Sequence, residues 1–266
     1  MRYLFSHRAT RARTKIDTKS MNAYTLKIIA IVGMTLQHTA LLFAGVLPMW
    51  AKIGMFTAGG ITFPIFAFLL VDGYNKTSNF NKYSHRLLIF ALIAQIPYTL
   101  VFASHLQTFF SLNVLFTLFL GLGMLKFFDR VKKLGFETET AFCFFVIAFG
   151  LTGGVYLDWG VCGLFVILLF HRIKSKIPRY IFPPLVAGGT MFGLAWIRSS
   201  LNGYPDLFLF FGIGAVFAIP LLLAYSGERG KDMRYFFYGF YPAHLFILAV
   251  ISILLGMNNV LGLLSF

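Results

Sequence analysis

Residues 24–47 read YTLKIIAIVGMTLQHTALLFAGVL, an apolar stretch whose ionisable side chains are Lys27 and His38. About 20 apolar residues are enough for a helix to cross the hydrocarbon core of a bilayer, so this stretch predicts a transmembrane helix. Similar blocks fill the rest of the 266-residue chain, which is 58% hydrophobic and only 12% charged. A soluble domain of this length needs far more polar surface, so the composition excludes that class.

The apolar blocks predict an all-α, polytopic transmembrane helix bundle with about nine spans. The fifth and sixth blocks are short, and Pro64 predicts a kink in the second. The predicted spans cover residues 24–47, 53–74, 85–104, 108–127, 139–153, 157–170, 180–198, 207–225 and 236–262.

The basic residues lie in alternate connections between these blocks. One side of the membrane receives only Lys52 and Arg198. The other receives the basic residues of the N-terminal tail and those of the connections at 76–86, 126–133, 172–179 and 229–234. Because basic loops stay in the cytoplasm, the pattern predicts an N-terminus inside and a C-terminus outside. The net charge of +14 is then explained by topology and lipid headgroups, so we expect no nucleic-acid partner.

Residues 1–20 are basic and have no apolar periodicity, whereas residues 21–266 contain all the predicted spans. We expect 1–20 to be a disordered tail or to precede the true start at Met21. No small-residue cleavage site marks a secretory signal. Cys143 and Cys162 lie inside apolar blocks without CxxC spacing, which favours neither a disulfide nor a metal site.

Ionisable side chains inside spans are costly, so they are candidate functional groups. Eleven residues of an α-helix return to within about 20° of the starting face and rise about 16 Å. Lys27 and His38 therefore share one helix face, with Lys27 nearer the cytoplasm. His244, in Phe240-Tyr241-Pro242-Ala243-His244-Leu245, is a second buried histidine. A neutral imidazole in this setting can act as a general base, and two histidines alone are too few for a metal site.

Other polar residues have alternative structural roles. Asp72, at the cytoplasmic end of the second span, is placed to pair with Arg86. Gln95 and Asn113 are amides that can bond between helices. Asn113 and Asp158 are expected near the outer face, and Asp158 could simply cap the sixth helix.

Several short motifs, in this order and spacing, resemble the TraX family of bacterial conjugation-associated membrane proteins. They are Gln37-His38-Thr39, Phe63-Pro64-Ile65-Phe66-Ala67, Arg86-Leu87, Asn113-Val114-Leu115-Phe116, Asp158-Trp159-Gly160 with Gly163, and Phe240-Tyr241-Pro242-Ala243-His244-Leu245. The Lys-x10-His spacing also resembles the Arg-x10-His element of acyltransferase family 3 membrane enzymes. The resemblance implies a multi-pass protein of the bacterial cytoplasmic (inner) membrane that transfers acetyl from acetyl-CoA. The implied acceptor is an amine or hydroxyl, most notably the N-terminus of a conjugative pilin.

The resemblance also implies roles for residues. His38 and His244 would be catalytic, and Lys27, Arg86 and Lys82 would meet the phosphates of acetyl-CoA. Asn113, Asp158, Asp72 and Gln95 would bind substrate or orient other groups. The family often has Asp before the histidine where this chain has Gln37, so His38 would be oriented in another way, through Asn113 or Asp158.

Two other functions fit the same residues. A non-catalytic factor for pilin maturation or assembly would use its buried polar groups only to hold the bundle together. A proton-coupled transporter would use the intramembrane histidines, but the chain shows no inverted repeat and few acids at mid-membrane.

Overall fold

The computed structural model describes residues 21–106, 111–133, 135, 140 and 157–256. Residues 1–20 and most of the predicted span 139–153 lie outside the described residues. Within the described ranges the regular structure is helical, with two isolated β-bridges, Met21 to Tyr225 and Leu112 to Leu157. The all-α prediction is therefore confirmed.

Ten helices follow one another in the described residues. They are α1 (Ala23–Leu42), α2 (Met49–Gly60), α3 (Thr62–Lys76), α4 (Phe80–Leu106), α5 (Val114–Lys133), α6 (Gly160–Arg172), α7 (Lys176–Asn202), α8 (Phe208–Val216), α9 (Ala218–Leu223) and α10 (Arg234–Leu254).

Within the part of the chain that the structure describes, five helical segments are long and apolar enough to cross a membrane: α1, the consecutive α2 and α3, α4, α7 and α10. α6 and the α8–α9 pair are shorter apolar helices. Large apolar side chains also remain on the surface, as on α4, where Ile89, Leu92 and Ile93 are at least 50% exposed. Such a surface is matched by lipid rather than by water.

The second predicted span is broken between α2 and α3 at Ile61, next to two glycines. Pro64 has no N–H to donate to the carbonyl of Gly60, so the helical hydrogen-bond ladder is interrupted there, and the kink itself stays a prediction. Gly60 packs directly on the backbone of α8, and Gly214 of α8 packs on the carbonyl of Thr57. Small residues allow this close approach of the two helices.

The helix ends that carry basic residues meet at one end of the bundle, here called the basic end. Met21 bridges Tyr225, and Lys76 donates to the carbonyl of Gly227 at 3.0 Å. Asp129 of α5 accepts from Tyr74 at 2.6 Å and contacts His171 of α6 at 3.2 Å. α1, α4, α7 and α10 begin at the basic end, and α3, α5, α6 and α9 end there.

α5 and α6 begin part-way along the bundle. The amide nitrogen of Asn113 donates to the carbonyl of Ala91 and to Gln95, in the middle of the 27-residue α4. The backbone N–H of Asp158 donates to the carbonyl of Leu112 at 3.0 Å. The prediction that Asn113 and Asp158 lie near the outer face is therefore wrong. Non-helical backbone at this depth is tolerated because surrounding protein satisfies its polar groups.

Candidate functional site

The two candidate residues of α1 both face α10. The ammonium of Lys27 lies 5.2 Å from the ring centroid of Phe237, and His38 contacts His244. Phe237 and His244 are seven residues apart, about two helical turns. The predicted common face of Lys27 and His38 is confirmed, and it is the face turned toward α10.

The two histidines form a direct hydrogen bond. His38 Nδ1 lies 2.9 Å from His244 Nε2, and the ring planes differ by only 8°. The ring centroids are 5.2 Å apart, so the bond runs in the ring planes rather than between stacked faces. His244 is 6% exposed and His38 is half-buried.

The protons of this pair can be assigned from one carbonyl. His244 Nδ1 lies 3.0 Å from the carbonyl oxygen of Phe240, which can only accept. In the neutral ring, His244 therefore carries its proton on Nδ1, and its Nε2 is an acceptor. His38 Nδ1–H must then donate to His244 Nε2, which leaves the lone pair on His38 Nε2. Among the described residues, His38 Nε2 has no hydrogen-bond partner.

Aromatic rings enclose the pair. Phe102 of α4 meets His38 edge-on at 5.0 Å, while Phe240 and Tyr241 pack against His244 at 5.2 and 5.4 Å. Rotation of either imidazole is restricted by these contacts. The lone pair of His38 Nε2 is consequently held in a fixed direction inside the bundle.

Gln37 lies outside this hydrogen-bond chain. Its side chain is 7% exposed and packs on Gly59 of α2, which is on another side of α1. His38 is oriented by His244. The prediction that Asn113 or Asp158 orients it is therefore wrong. The presence of glutamine at position 37, where the family often has aspartate, therefore does not prevent His38 from being oriented.

The side chains of Asn113 and Gln95 form a hydrogen-bonded connection between α4 and the start of α5. Asn113 Oδ1 accepts from the N–H of Leu115, and Gln95 Oε1 accepts from both nitrogens of Asn113. Gln95 Nε2 donates to the Ser111 carbonyl at 2.9 Å and to Thr99 at 3.1 Å. These bonds occupy both amides, and they fix the non-helical segment at mid-depth.

Asp158 lies beside this hydrogen-bonded connection. The phenol of Tyr98 donates to Asp158 Oδ1 at 3.4 Å and lies 3.4 Å from the hydroxyl of Ser111. Asp158 is not the cap of α6, since the N-cap position is Trp159 and has no side-chain cap bond. Asp158 is exposed, whereas Tyr98 and Tyr241 are only 3% and 4% exposed.

Cationic side chains gather where α1, α4 and α10 reach the basic end. Arg86 lies beside Tyr83 and Tyr238, and its Nε is buried without a hydrogen-bond partner in the described part of the chain. Lys82 is exposed one turn earlier. In the adjacent loop, hydrogen bonding from Arg234 lowers the pKa of Asp232 to about 2.

Asp72 also lies at the basic end, but with other partners than predicted. Its carboxylate accepts from Lys76 at 2.8 Å and from the phenol of Tyr225 at 3.0 Å. The predicted ion pair with Arg86 does not form, because Lys76 is one helical turn away on the same helix. Asp72 is therefore not placed with the histidine pair.

The aromatic part of the site is only weakly indicated by the sequence. Tyr98 follows Gln95 by three residues, which places both on one face of α4, and that spacing was a usable signal. Nothing in the sequence marked Phe102 or Ser111. Two surface cavities of about 340 and 390 Å³ lie near Phe80 and Lys126 at the basic end, and the histidines line neither of them.

Sequence similarity to known proteins identifies the family of this chain. No solved structure matches the chain significantly. A curated relative, "Probable fimbrial assembly protein FimC, serogroup H1" of Dichelobacter nodosus, is 32% identical over 238 residues, covering 85% of this chain and 94% of the relative. The family model described as TraX protein matches residues 22–252, which include both histidines. The chain belongs to the TraX family.

Proposed function

We propose that the protein is a membrane-embedded acetyltransferase with His38 as its general base. The observation that carries the proposal is the hydrogen-bond chain from the Phe240 carbonyl through His244 to His38. That chain leaves a basic lone pair on His38 Nε2, and a general base needs this feature.

The reaction is a direct transfer from a thioester. The acceptor nitrogen or oxygen forms a bond to the acetyl carbonyl carbon while His38 Nε2 takes the acceptor's proton. The C–S bond then breaks, and the imidazolium returns that proton to the departing thiolate. His244 stabilises the transient charge on His38, because the hydrogen bond from His38 Nδ1–H is stronger when its donor is charged.

Acetyl-CoA is the proposed donor, entering at the basic end. Phosphates are bound by Lys and Arg, and the buried Nε of Arg86 is an unused donor there. Lys27 lies about 16 Å along α1 from His38. An extended acetyl-CoA can span this distance, with its phosphates at the basic end and its acetyl carbon near His38. Lys27, Arg86 and Lys82 are therefore the proposed donor-binding residues.

The basic end is then cytoplasmic, since the cytoplasm supplies acetyl-CoA. This orientation gives nine spans in the bacterial inner membrane with the N-terminus inside and the C-terminus outside. The proposed fifth span, residues 139–153, lies in the sequence between α5 and α6.

The proposed acceptor is a pilin subunit presented by the membrane, by analogy with the printed name of the fimbrial relative. That name equally favours a second candidate, a non-catalytic assembly factor. The two differ in their need for acetyl-CoA.

The deciding experiment measures binding of acetyl-CoA to the purified protein in nanodiscs, followed by transfer of radiolabelled acetyl to an apolar ten-residue peptide with a free amino terminus. The enzyme is expected to bind the donor and label the peptide. A well-folded protein that binds no acetyl-CoA would support the assembly factor instead.

A further inference from the structure

An apolar cavity of about 340 Å³ lies between the start of α4 and the second half of α5. Its walls include Phe80 of α4 and Phe119 and Phe127 of α5. Gly123, which also lines the cavity, is exposed and has no heavy atom within 4 Å of the position that a Cβ would take. Phe127 is 47% exposed. The cavity is therefore open at the outer surface of the bundle, where an apolar opening of this kind marks a place for an apolar ligand.

A polar cavity of about 390 Å³ adjoins the apolar one, and Phe80 forms part of the wall of both. The remaining walls come from the end of α3, the connection to α4 and the end of α5, and they include the side chains of Asn75, Ser78 and Lys126. The two cavities together are here called the α4–α5 groove. It has an apolar part and a polar part that meet at one aromatic ring.

Lys126 lies at the junction of the two parts. Its ammonium is 4.0 Å from the ring centroid of Phe80, so the side chain lies over the wall that both cavities share. The carboxylate that lines the polar part, Asp129, accepts from the phenol of Tyr74 at 2.6 Å and contacts His171 at 3.2 Å. The groove therefore presents an ammonium next to hydroxyl and amide groups, while partners on α3 and α6 hold its carboxylate.

The two parts lie at the depths that a phospholipid occupies. The start of α4 and the end of α5 carry the exposed side chains of Asn81, Lys82 and Arg130, so the polar part lies at the level of the headgroups. Phe119 precedes Lys126 by seven residues on α5, which places it about 10 Å deeper in the bilayer. A phosphate at Lys126 and an acyl chain along α5 would therefore fill both parts at once.

The groove is separate from Arg86, one of the proposed donor-binding residues. Ser84 of α4 lines the apolar part, whereas Arg86 lies beside Tyr238 of α10. Side chains two residues apart on an α-helix differ by about 200° in direction, so the groove and Arg86 are on opposite sides of α4. A ligand in the groove therefore does not occupy the position proposed for acetyl-CoA.

We propose that the α4–α5 groove binds one anionic phospholipid of the surrounding membrane, with its phosphate at Lys126 and one acyl chain over Gly123. A zwitterionic lipid fills the apolar part equally well, but its own cation opposes the attraction of its headgroup to the basic end. An anionic headgroup is complementary to Lys126 and to the exposed Lys82 and Arg130 nearby. This site is independent of acetyl transfer.

Lipid titration followed by native mass spectrometry tests the proposal, because it counts the lipids bound to each protein molecule. Delipidated protein in detergent is titrated with dioleoyl phosphatidylglycerol, which is anionic, or with dioleoyl phosphatidylcholine, which has the same chains and no net charge. The first phosphatidylglycerol should bind about fivefold or more tightly, the equivalent of about 1 kcal/mol for one lysine at an anionic headgroup. Glycerol phosphate, a headgroup without chains, should bind far more weakly than phosphatidylglycerol.

Two pairs of variants locate the site. Lys126→Gln should abolish the preference for phosphatidylglycerol, whereas Lys132→Gln, which removes an exposed lysine that lines neither cavity, should retain it. Gly123→Leu should weaken the binding of both lipids, because its side chain occupies the apolar part. Gly189→Leu, at an open position on α7, should bind both lipids as the wild type does. Thermal unfolding midpoints establish that each variant is folded.

Equal affinity of the wild type for the two lipids would overturn the proposal. Equal effects of Lys126→Gln and Lys132→Gln would also overturn it, because they would indicate a diffuse attraction to the whole basic end. Unchanged lipid binding in Gly123→Leu would reject the position of the acyl chain. Glycerol phosphate that binds as tightly as phosphatidylglycerol would assign the polar part to a soluble phosphate, and displacement of the lipid by acetyl-CoA would assign the groove to the donor. None of the lipid measurements uses acetyl transfer, so failure of this proposal is distinguishable from failure of the proposed function.

Discussion

Replacing His38 by alanine removes the lone pair that the hydrogen-bond chain leaves on Nε2. A positioned general base contributes about 10²- to 10⁴-fold, or about 2.7 to 5.4 kcal/mol of transition-state stabilisation. His38→Ala should lower the rate of acetyl transfer by that factor. Affinity for acetyl-CoA should change little, because Lys27 and Arg86 lie at the basic end.

Replacing His244 by alanine should have a smaller effect. It removes the hydrogen bond that His38 Nδ1–H donates, and because His38 is charged in the transition state, that bond contributes about 1.5 to 3 kcal/mol. The expected loss is about 13- to 160-fold in rate. The order of the two losses therefore identifies which imidazole is the base.

The chain offers a matched control in His85. Its Nδ1 contacts the carbonyl of Asn81 one turn earlier at 2.7 Å, as His244 contacts Phe240, but it is exposed at the start of α4. His85→Ala should therefore transfer acetyl at the wild-type rate.

The assay is single-turnover transfer of radiolabelled acetyl to the peptide with a free amino terminus, with enzyme in excess in nanodiscs. Size-exclusion profiles and acetyl-CoA affinities establish that each variant is folded. A folded His38→Ala protein with undiminished transfer would refute the assignment of the base. A larger loss in His244→Ala than in His38→Ala would move the base to His244.

Three other outcomes are expected. Lys27→Ala should raise the dissociation constant of acetyl-CoA by roughly 5- to 150-fold, the equivalent of about 1 to 3 kcal/mol for a lost phosphate contact. Isothermal titration measures this constant, and an unchanged value would show that Lys27 contacts only lipid. Gly60→Leu should destabilise the α2–α8 contact by about 1 to 3 kcal/mol and lower the thermal unfolding midpoint. Gly189→Leu, at an open position, should leave the midpoint nearly unchanged. Equal midpoints for the two variants would contradict the close packing at Gly60. A periplasm-dependent reporter should be active after Phe266 and inactive within residues 126–133, and the reverse pattern would reject the proposed orientation.

Helical periodicity was enough to predict part of the site. The eleven-residue spacing of Lys27 and His38 placed both on one face, because backbone geometry alone fixes that relation. Proline chemistry likewise predicted the interruption near Pro64. Such features depend on residues close together in the chain, so they are readable without knowledge of the packing.

Long-range partners could not be read in this way. His38 and His244 are 206 positions apart, and only the packing of α1 against α10 brings Nδ1 of one to Nε2 of the other. The bond from the Tyr225 phenol to Asp72 likewise joins residues 153 positions apart, whereas the ion pair of Asp72 with Lys76 has a local i,i+4 spacing that is readable from the sequence. Several spans contain polar residues that could pair with one another, and the sequence does not show which of these pairs form.

The sequence by itself determined the solvent, the all-α class and the alternation of basic connections, because hydrophobic length and charge act locally on each segment. The tertiary structure decided the depth of Asn113 and Asp158 and the tautomer chain of the histidines. The depth depends on where α5 and α6 begin relative to α4, and the histidine pair depends on the packing of α1 against α10. That depth is set by hydrogen bonds such as Asn113 to Ala91, which join distant parts of the chain.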